Sequence, residues 1–236
     1  MFLRADVEKA RSISERSYTE KQVFDSMILP STERPYFTPG FPLSLPLEHE
    51  VRISSLNGPL TQTFPKSSTP DPILSDTRQL AWYSSTQQTG LVTIDTPRTQ
   101  GLIGFVGANG KSDSNLDAQV DNTFCTILLS SFDTKPISQA SNLLLIAGGR
   151  VENTGQQWNA AGTAVTNWGG SPTLIDPVRG RLTFRHIQGA HAVLLQPIDG
   201  DGQPKGPPVQ AARKGDGWEM PLGQTVTTWY EITVER

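Results

Sequence analysis

No apolar run in this chain is long enough to cross a bilayer or to fill the face of a long helix. The longest, Leu143-Leu144-Leu145-Ile146-Ala147, has the length of one buried strand, whereas a membrane span needs roughly 20 residues. Other short runs recur between turn residues. They are Glu48 to Ile53, Gln79 to Ser84, Leu91 to Ile94, Leu102 to Val106, Phe124 to Leu129, Arg181 to Phe184, Ala192 to Leu195, Val209 to Ala212 and Trp229 to Val234. That rhythm predicts an all-β chain of antiparallel sandwich type. With 21 Gly and 18 Pro among 236 residues, turns are plentiful, yet their share stays below that of disordered chains.

The first part of the chain does not follow this rhythm. Thr19-Glu20-Lys21-Gln22 has the form of a capping box, and Val23, Phe24, Met27 and Ile28 then fall on one helical face until Pro30. One short helix is expected there. Prolines at 35, 39, 42 and 46 predict an extended strap without helix or central strand. Residues 1–46 are therefore expected to be irregular apart from the one helix, and 47–160 to form a β-sandwich. A Gly/Asn/Ala/Thr-rich stretch near 155–172 reads as a boundary. Residues 172–236 are then expected to form a small immunoglobulin- or fibronectin-like sandwich.

A net charge of −3, with no basic stripe in either half, argues against nucleic acid as the main partner. The start, Met1-Phe2-Leu3-Arg4-Ala5-Asp6, lacks a signal-peptide pattern. It reads like the interior of a longer chain. The single cysteine, Cys125, lies in an apolar run and is expected to be a buried structural thiol.

Several motifs fail at named positions. Gly104 to Ser112 ends like a phosphate-binding loop, but Phe105 stands where its first glycine belongs, and Ser112-Asp113-Ser114-Asn115 is a poor helix start. Asp199-Gly200-Asp201-Gly202 begins like a calcium loop, but Pro204 occupies the sixth position. A hairpin turn suits it better. Three histidines, His49, His186 and His191, with one cysteine supply too few ligands for a zinc site. No Gly-x-Ser-x-Gly elbow is present. Neither a metal nor a cofactor is implied.

Carboxylates and aromatics remain. Glycoside hydrolysis needs two carboxyl groups facing across a sugar. Asp95, Asp117, Asp121, Glu152, Asp176, Glu219 and Glu231 are available, with Asp95, Asp121 and Glu152 as the candidates for a catalytic pair. Most adjoin Pro, Gly or Asn, where stabilising a turn is the simpler role. Exposed Trp and Tyr rings stack on the apolar faces of sugars. Trp158 and Trp168 sit in the Gly/Asn-rich stretch, and Trp82, Tyr83 and Trp218 complete the candidate carbohydrate-binding set. The alternative for each is a plug at the end of a β core, the favoured reading for Trp82 and Trp229.

Longer segments add a resemblance. Gly90-Leu-Val-Thr-Ile-Asp-Thr-Pro-Arg-Thr-Gln-Gly-Leu-Ile-Gly-Phe105 resembles a stretch in the C-terminal β region of large bacterial (β/α)₈-barrel glycoside hydrolases, the broad group of β-galactosidases, agarases and endoglucanases. Ser131-Phe-Asp-Thr-Lys-Pro-Ile137, Leu143-Leu-Leu, Arg150-Val-Glu-Asn-Thr-Gly155 and Trp158-Asn159 are similar to its next part, and Thr228-Trp-Tyr-Glu-Ile232 to its closing strand. The likeness covers roughly residues 75–236. No strand–helix unit of a catalytic barrel is present, so the resemblance carries over no catalytic residue. It implies a carbohydrate-associated accessory module that binds polysaccharide or oligosaccharide, or supports a catalytic barrel, in an extracellular or periplasmic setting. The alternatives are a small glycoside hydrolase with its own carboxylate pair and a purely structural docking domain.

Overall fold

The computed structural model describes residues 4–21, 24, 44–57, 71–83, 90–110 and 112–236. Contacts divide the chain into two compact units, Phe2–Ser84 and Ser85–Arg236.

In the first unit, β1 (Ile13–Tyr18) pairs in parallel with β2 (Glu50–Leu56). A four-residue helix, Leu45–Glu48, leads into β2. Pro46 lies in its first turn, where a missing N–H removes no helical bond. β3 (Ile73–Leu74) and β4 (Leu80–Tyr83) form a hairpin in which Ile73 faces Trp82. Tyr18 and Leu45 are buried together, with Val51 packed against them. The expectation of an irregular segment over residues 1–46 is thus corrected. It contains β1, and the proline strap ends in a helical turn. Of the expected helix at 19–29, Glu20, Lys21 and Phe24 are helical. Its other positions from Gln22 on, and the strap at 30–43, lie outside the described residues.

The second unit contains β5 (Leu91–Asp95), β6 (Thr99–Gly104), β7 (Leu116–Val120), β8 (Cys125–Ser131), β9 (Asn142–Thr154), β10 (Gln157–Trp158), β11 (Val165–Asn167) and β12 (Gly170–Pro177). After them come β13 (Gly180–Arg185), β14 (Ala192–Ile198), β15 (Val209–Gln210), β16 (Ala212–Lys214), β17 (Gly217–Leu222) and β18 (Trp229–Glu235). One sheet runs β15-β14-β18-β9-β8-β6-β5, and a second runs β16-β17-β13-β7. Every pairing within this unit is antiparallel. The chain is all-β and sandwich-like, as its turn rhythm implies.

Period-two alternation builds the core. Ile127 and Leu129 of β8, Leu143 and Leu145 of β9, Leu195 of β14 and Ile232 of β18 are buried on one sheet. Leu116 of β7, Leu182 and Phe184 of β13 and Met220 of β17 are buried on the other. Cys125 is buried at the start of β8, and burial pushes its thiol up to about 11. It is an inert apolar filler at neutral pH. The turn at 199–203 folds on its own carboxylate: Asp199 Oδ1 accepts the N–H groups of Asp201 and Gln203 at 2.9 and 2.8 Å.

The strands of 172–236 do not form a separate small sandwich. β13 lies between β7 and β17, and β18 lies between β9 and β14. Both sheets therefore mix strands from either side of the expected boundary at 155–172. That stretch holds structure of its own instead. β9 outruns the sheet: its first half pairs with β8 and β18, and its second half pairs with β12. β10 and β11 form a small hairpin between them. At about 3.3 Å per residue, β9 is roughly 43 Å long, and residues 148–177 make a ribbon continuing from the sandwich.

Candidate functional site

Much of the ribbon is exposed to solvent. All of β12 except Pro177, both residues of β10 and two of three in β11 are exposed. A two-stranded ribbon has no second layer to bury a face against, so alternation gives it two solvent faces.

One face is polar and carries a tryptophan. Glu152 is half-buried on β9, and its Oε1 accepts the indole N–H of Trp158 at 3.1 Å and faces Arg150 Nε at 3.3 Å. Arg150 also reaches Asp176 of β12 at 4.0 Å. With Asn153, Gly155, Gln156 and Leu174, these charged groups line a depression of about 210 Å³. The indole N–H is held by Glu152, while the ring stays 45% exposed. Trp168, at the foot of β12, is 71% exposed. Its carbonyl accepts Asn153 Nδ2 at 3.0 Å, and Asn153 Oδ1 accepts the Thr173 hydroxyl at 2.9 Å. On the other face Val151 and Ile175 are register partners, both exposed, next to the Asn153–Thr173 pair.

The structure therefore brings Trp158 and Glu152 into contact and puts Trp168 on the same ribbon. It does not add the other aromatics to them. Trp218 is 5% exposed on β17, with the Arg213 guanidinium 5.3 Å from its ring centroid. Its position in the core leaves no ring face for a sugar. Trp82 and Tyr83 lie on β4 of the first unit, Trp82 exposed and Tyr83 half-buried. Neither Trp82 nor Trp229 is a core plug, since both are exposed.

Of the candidate catalytic carboxylates, Asp95 and Asp121 lie beyond opposite ends of β7. Asp95 Oδ1 accepts Gln100 Nε2 at 2.9 Å, and Asp95 Oδ2 accepts the Ser114 hydroxyl at 2.6 Å. Ser114 precedes β7 and Asp121 follows it, so some 20 Å of extended chain separates them, at about 3.3 Å per residue. Glycosidase pairs stand within about 10 Å of each other. Asp121 shares a depression of about 300 Å³ with Asp176 and Arg179 instead. It also lines a groove of about 570 Å³ at the ends of β7, β13 and β17, beside Gln119, Arg179 and Arg181. Asp117 is paired with Arg185 and Glu219 with Lys214.

Two groupings escape a reading of the sequence. Ser14 Oγ meets His49 Nε2 at 2.5 Å in the first unit, with His49 close enough for its charge to act on Asp76. At 4% exposure the Ser14 hydroxyl is closed to a substrate, and the pair ties β1 to the turn before β2. The other grouping is Asp113, whose carboxyl is pushed up to about 8, first by burial and then by the charge of Asp95. No spacing reveals either, because both depend on which strands become neighbours.

Among the described residues no group of three or more His, Cys, Asp or Glu is placed to hold a metal ion, and no helix is long and apolar enough to cross a membrane. Comparison with protein-family models, with curated proteins and with solved structures gives no match.

Proposed function

We propose that the chain is a carbohydrate-associated β-sandwich module of glycoside-hydrolase type that binds polysaccharide through the 148–177 ribbon. The observation that carries this reading is the exposed Trp158 ring, pinned by its N–H to Glu152 beside a charged depression. A fixed aromatic face offers stacking area at little entropic cost, and flanking Arg150, Asn153 and Asp176 supply donors and acceptors for sugar hydroxyls. Trp168 gives a second platform on the same ribbon. The resemblance of residues 75–236 to accessory regions of barrel enzymes points to the same class of ligand and to an extracellular or periplasmic setting.

The face bearing Val151 and Ile175 favours a second reading. Val151 and Ile175 side by side in solvent suit docking on a protein partner, a catalytic barrel in the family likeness. The two readings use opposite faces of the ribbon and are compatible. A small hydrolase with its own carboxylate pair has less support, because Asp95 and Asp121 stand too far apart.

Affinity electrophoresis on a panel of soluble glucans, galactans and xylans tests the proposal. Retardation by at least one polysaccharide is expected, weakened roughly tenfold or more in Trp158→Ala, as for loss of one stacking ring. Val151→Ser should leave it unchanged. No retardation of the intact protein by any glycan sinks the reading.

A further inference from the structure

Three depressions of the second unit run into one another. Asp176 lines the ribbon depression of about 210 Å³ and also the one of about 300 Å³. That second depression shares Asp121 and Arg179 with the groove of about 570 Å³ at the ends of β7, β13 and β17. The junctions are closely built. Gly149 of β9 passes so near Asp176 that a Cβ there would lie 2.9 Å from the Asp176 carbonyl oxygen. Asn122 donates to Pro177 O at 3.0 Å and accepts Arg179 N–H at 2.9 Å, while Asp121 N–H donates to Arg179 O at 2.9 Å. One trough therefore leads from Glu152, which holds Trp158, past Asp176 and into the groove. The groove alone falls within the roughly 300–1,000 Å³ of ordinary ligand sites.

Charge is distributed unevenly along this trough. At the ribbon end Arg150 is engaged by Glu152 and Asp176. In the groove the charged lining is Arg179, Arg181 and Asp121. Among the described residues neither Arg179 nor Arg181 forms an ion pair, and both are exposed. Arg181 Nη2 donates to Gln119 Oε1 at a long 3.4 Å. Glu219, which feels the Arg181 charge beyond ion-pair distance, is taken by Lys214 at 2.7 Å. Guanidinium groups match carboxylates, which they hold through parallel N–H bonds. Asp121 beside them accepts hydroxyl protons, which a bare inorganic anion does not offer. A sugar acid carries both groups.

We propose that the polysaccharide is acidic and lies along this trough, with a uronate carboxylate held by Arg179 and Arg181 while Trp158 stacks on a ring further along. The proposal rests on the carbohydrate-binding reading of the ribbon and names the chemistry of its ligand. The chain carries a net charge of −3, so a polyanion has no general attraction to it, and binding depends on this local pair of cations.

Affinity electrophoresis of the full chain in polygalacturonate, alginate and glucuronoxylan, each beside its carboxyl-reduced neutral form, tests this. At least one acidic polymer is expected to retard the protein about tenfold more strongly than its reduced form, with the difference shrinking as salt rises. Arg179→Gln and Arg181→Gln should each weaken retention by the acidic form roughly fivefold to tenfold, the scale of a charged hydrogen bond at a solvent-open site. They should leave retention by the reduced form and the melting temperature unchanged, which shows the variants folded. Lys135→Gln removes the same charge beyond the far end of β8 and should bind like the wild type. Equal retardation by acidic and reduced polymers, or arginine variants that bind the acidic form as the wild type does, overturns the proposal and leaves the ribbon reading standing. Absence of retardation by every glycan in both forms removes the ribbon reading and this proposal with it.

Discussion

At the scale of single residues, the described parts of this protein are governed by where carboxylates find partners. Asp76 and Asp113 show the two outcomes. Burial works against the Asp76 charge, but Ser12 N–H, the Ser12 hydroxyl and Arg11 N–H bond one oxygen, and His49 adds its field. The sum holds the Asp76 carboxyl below the ordinary aspartate value. A carboxyl lowered on folding contributes stability that is present above its unfolded value and is lost as pH falls through the folded one. Asp76→Asn is therefore expected to lower Tm most at neutral pH, with the gap to wild type closing in strong acid. Melts across an acid series check this, and a gap that stays constant or widens on acidification contradicts it. Asp113 is buried and has a like charge for a neighbour, and its carboxyl moves the other way. Neither outcome is visible in the sequence. The partners of Asp76 lie more than sixty positions away, and those of Asp113 come from β5 and β6.

At the scale of elements, legibility follows burial. β5, β6, β8, β14 and β18 bury one face, so their apolar positions alternate or run together and stand out in the sequence. β1 does not, because Ser14 and Ser17 occupy buried positions that a strand pattern assigns to apolar residues. β17 is masked by Pro221, its last residue but one. That proline is tolerated because β16 pairs only as far as Glu219 and leaves the position on an open edge. The ribbon strands have no inner face, so no period betrays them, and their Gly/Asn-rich composition resembles a linker. What the composition did carry was Trp158 and Trp168, rings that a linker has no use for. One glycine has a defined task at this scale. Gly180 opens β13 at φ +140°, and a Cβ there would lie 2.2 Å from Gln119 O on β7. Gly180→Ala is expected to destabilise the protein by roughly 1–3 kcal/mol, the range for strained backbone. Denaturant unfolding measures it, and a change under half a kcal/mol would show that the β7–β13 edge yields without strain.

At the scale of the molecule, the second unit is indivisible where its sequence suggests a joint. β13 needs β7 on one side, and β18 needs β9. Residues 172–236 expressed alone are therefore expected to remain unfolded, with a random-coil far-ultraviolet spectrum and no cooperative melt. A cooperative transition from that piece would restore the small sandwich as a domain. The interleaving also has a consequence for synthesis. Val120 waits for Gly180, and Leu143 waits for Ile232. Loops that long must close before either sheet is whole, which places the fold among those of high contact order. On the ribosome β7, β8 and β9 emerge with their apolar faces uncovered until β13 and β18 follow them, so chaperones have a long opportunity on these strands while the later ones are still being made.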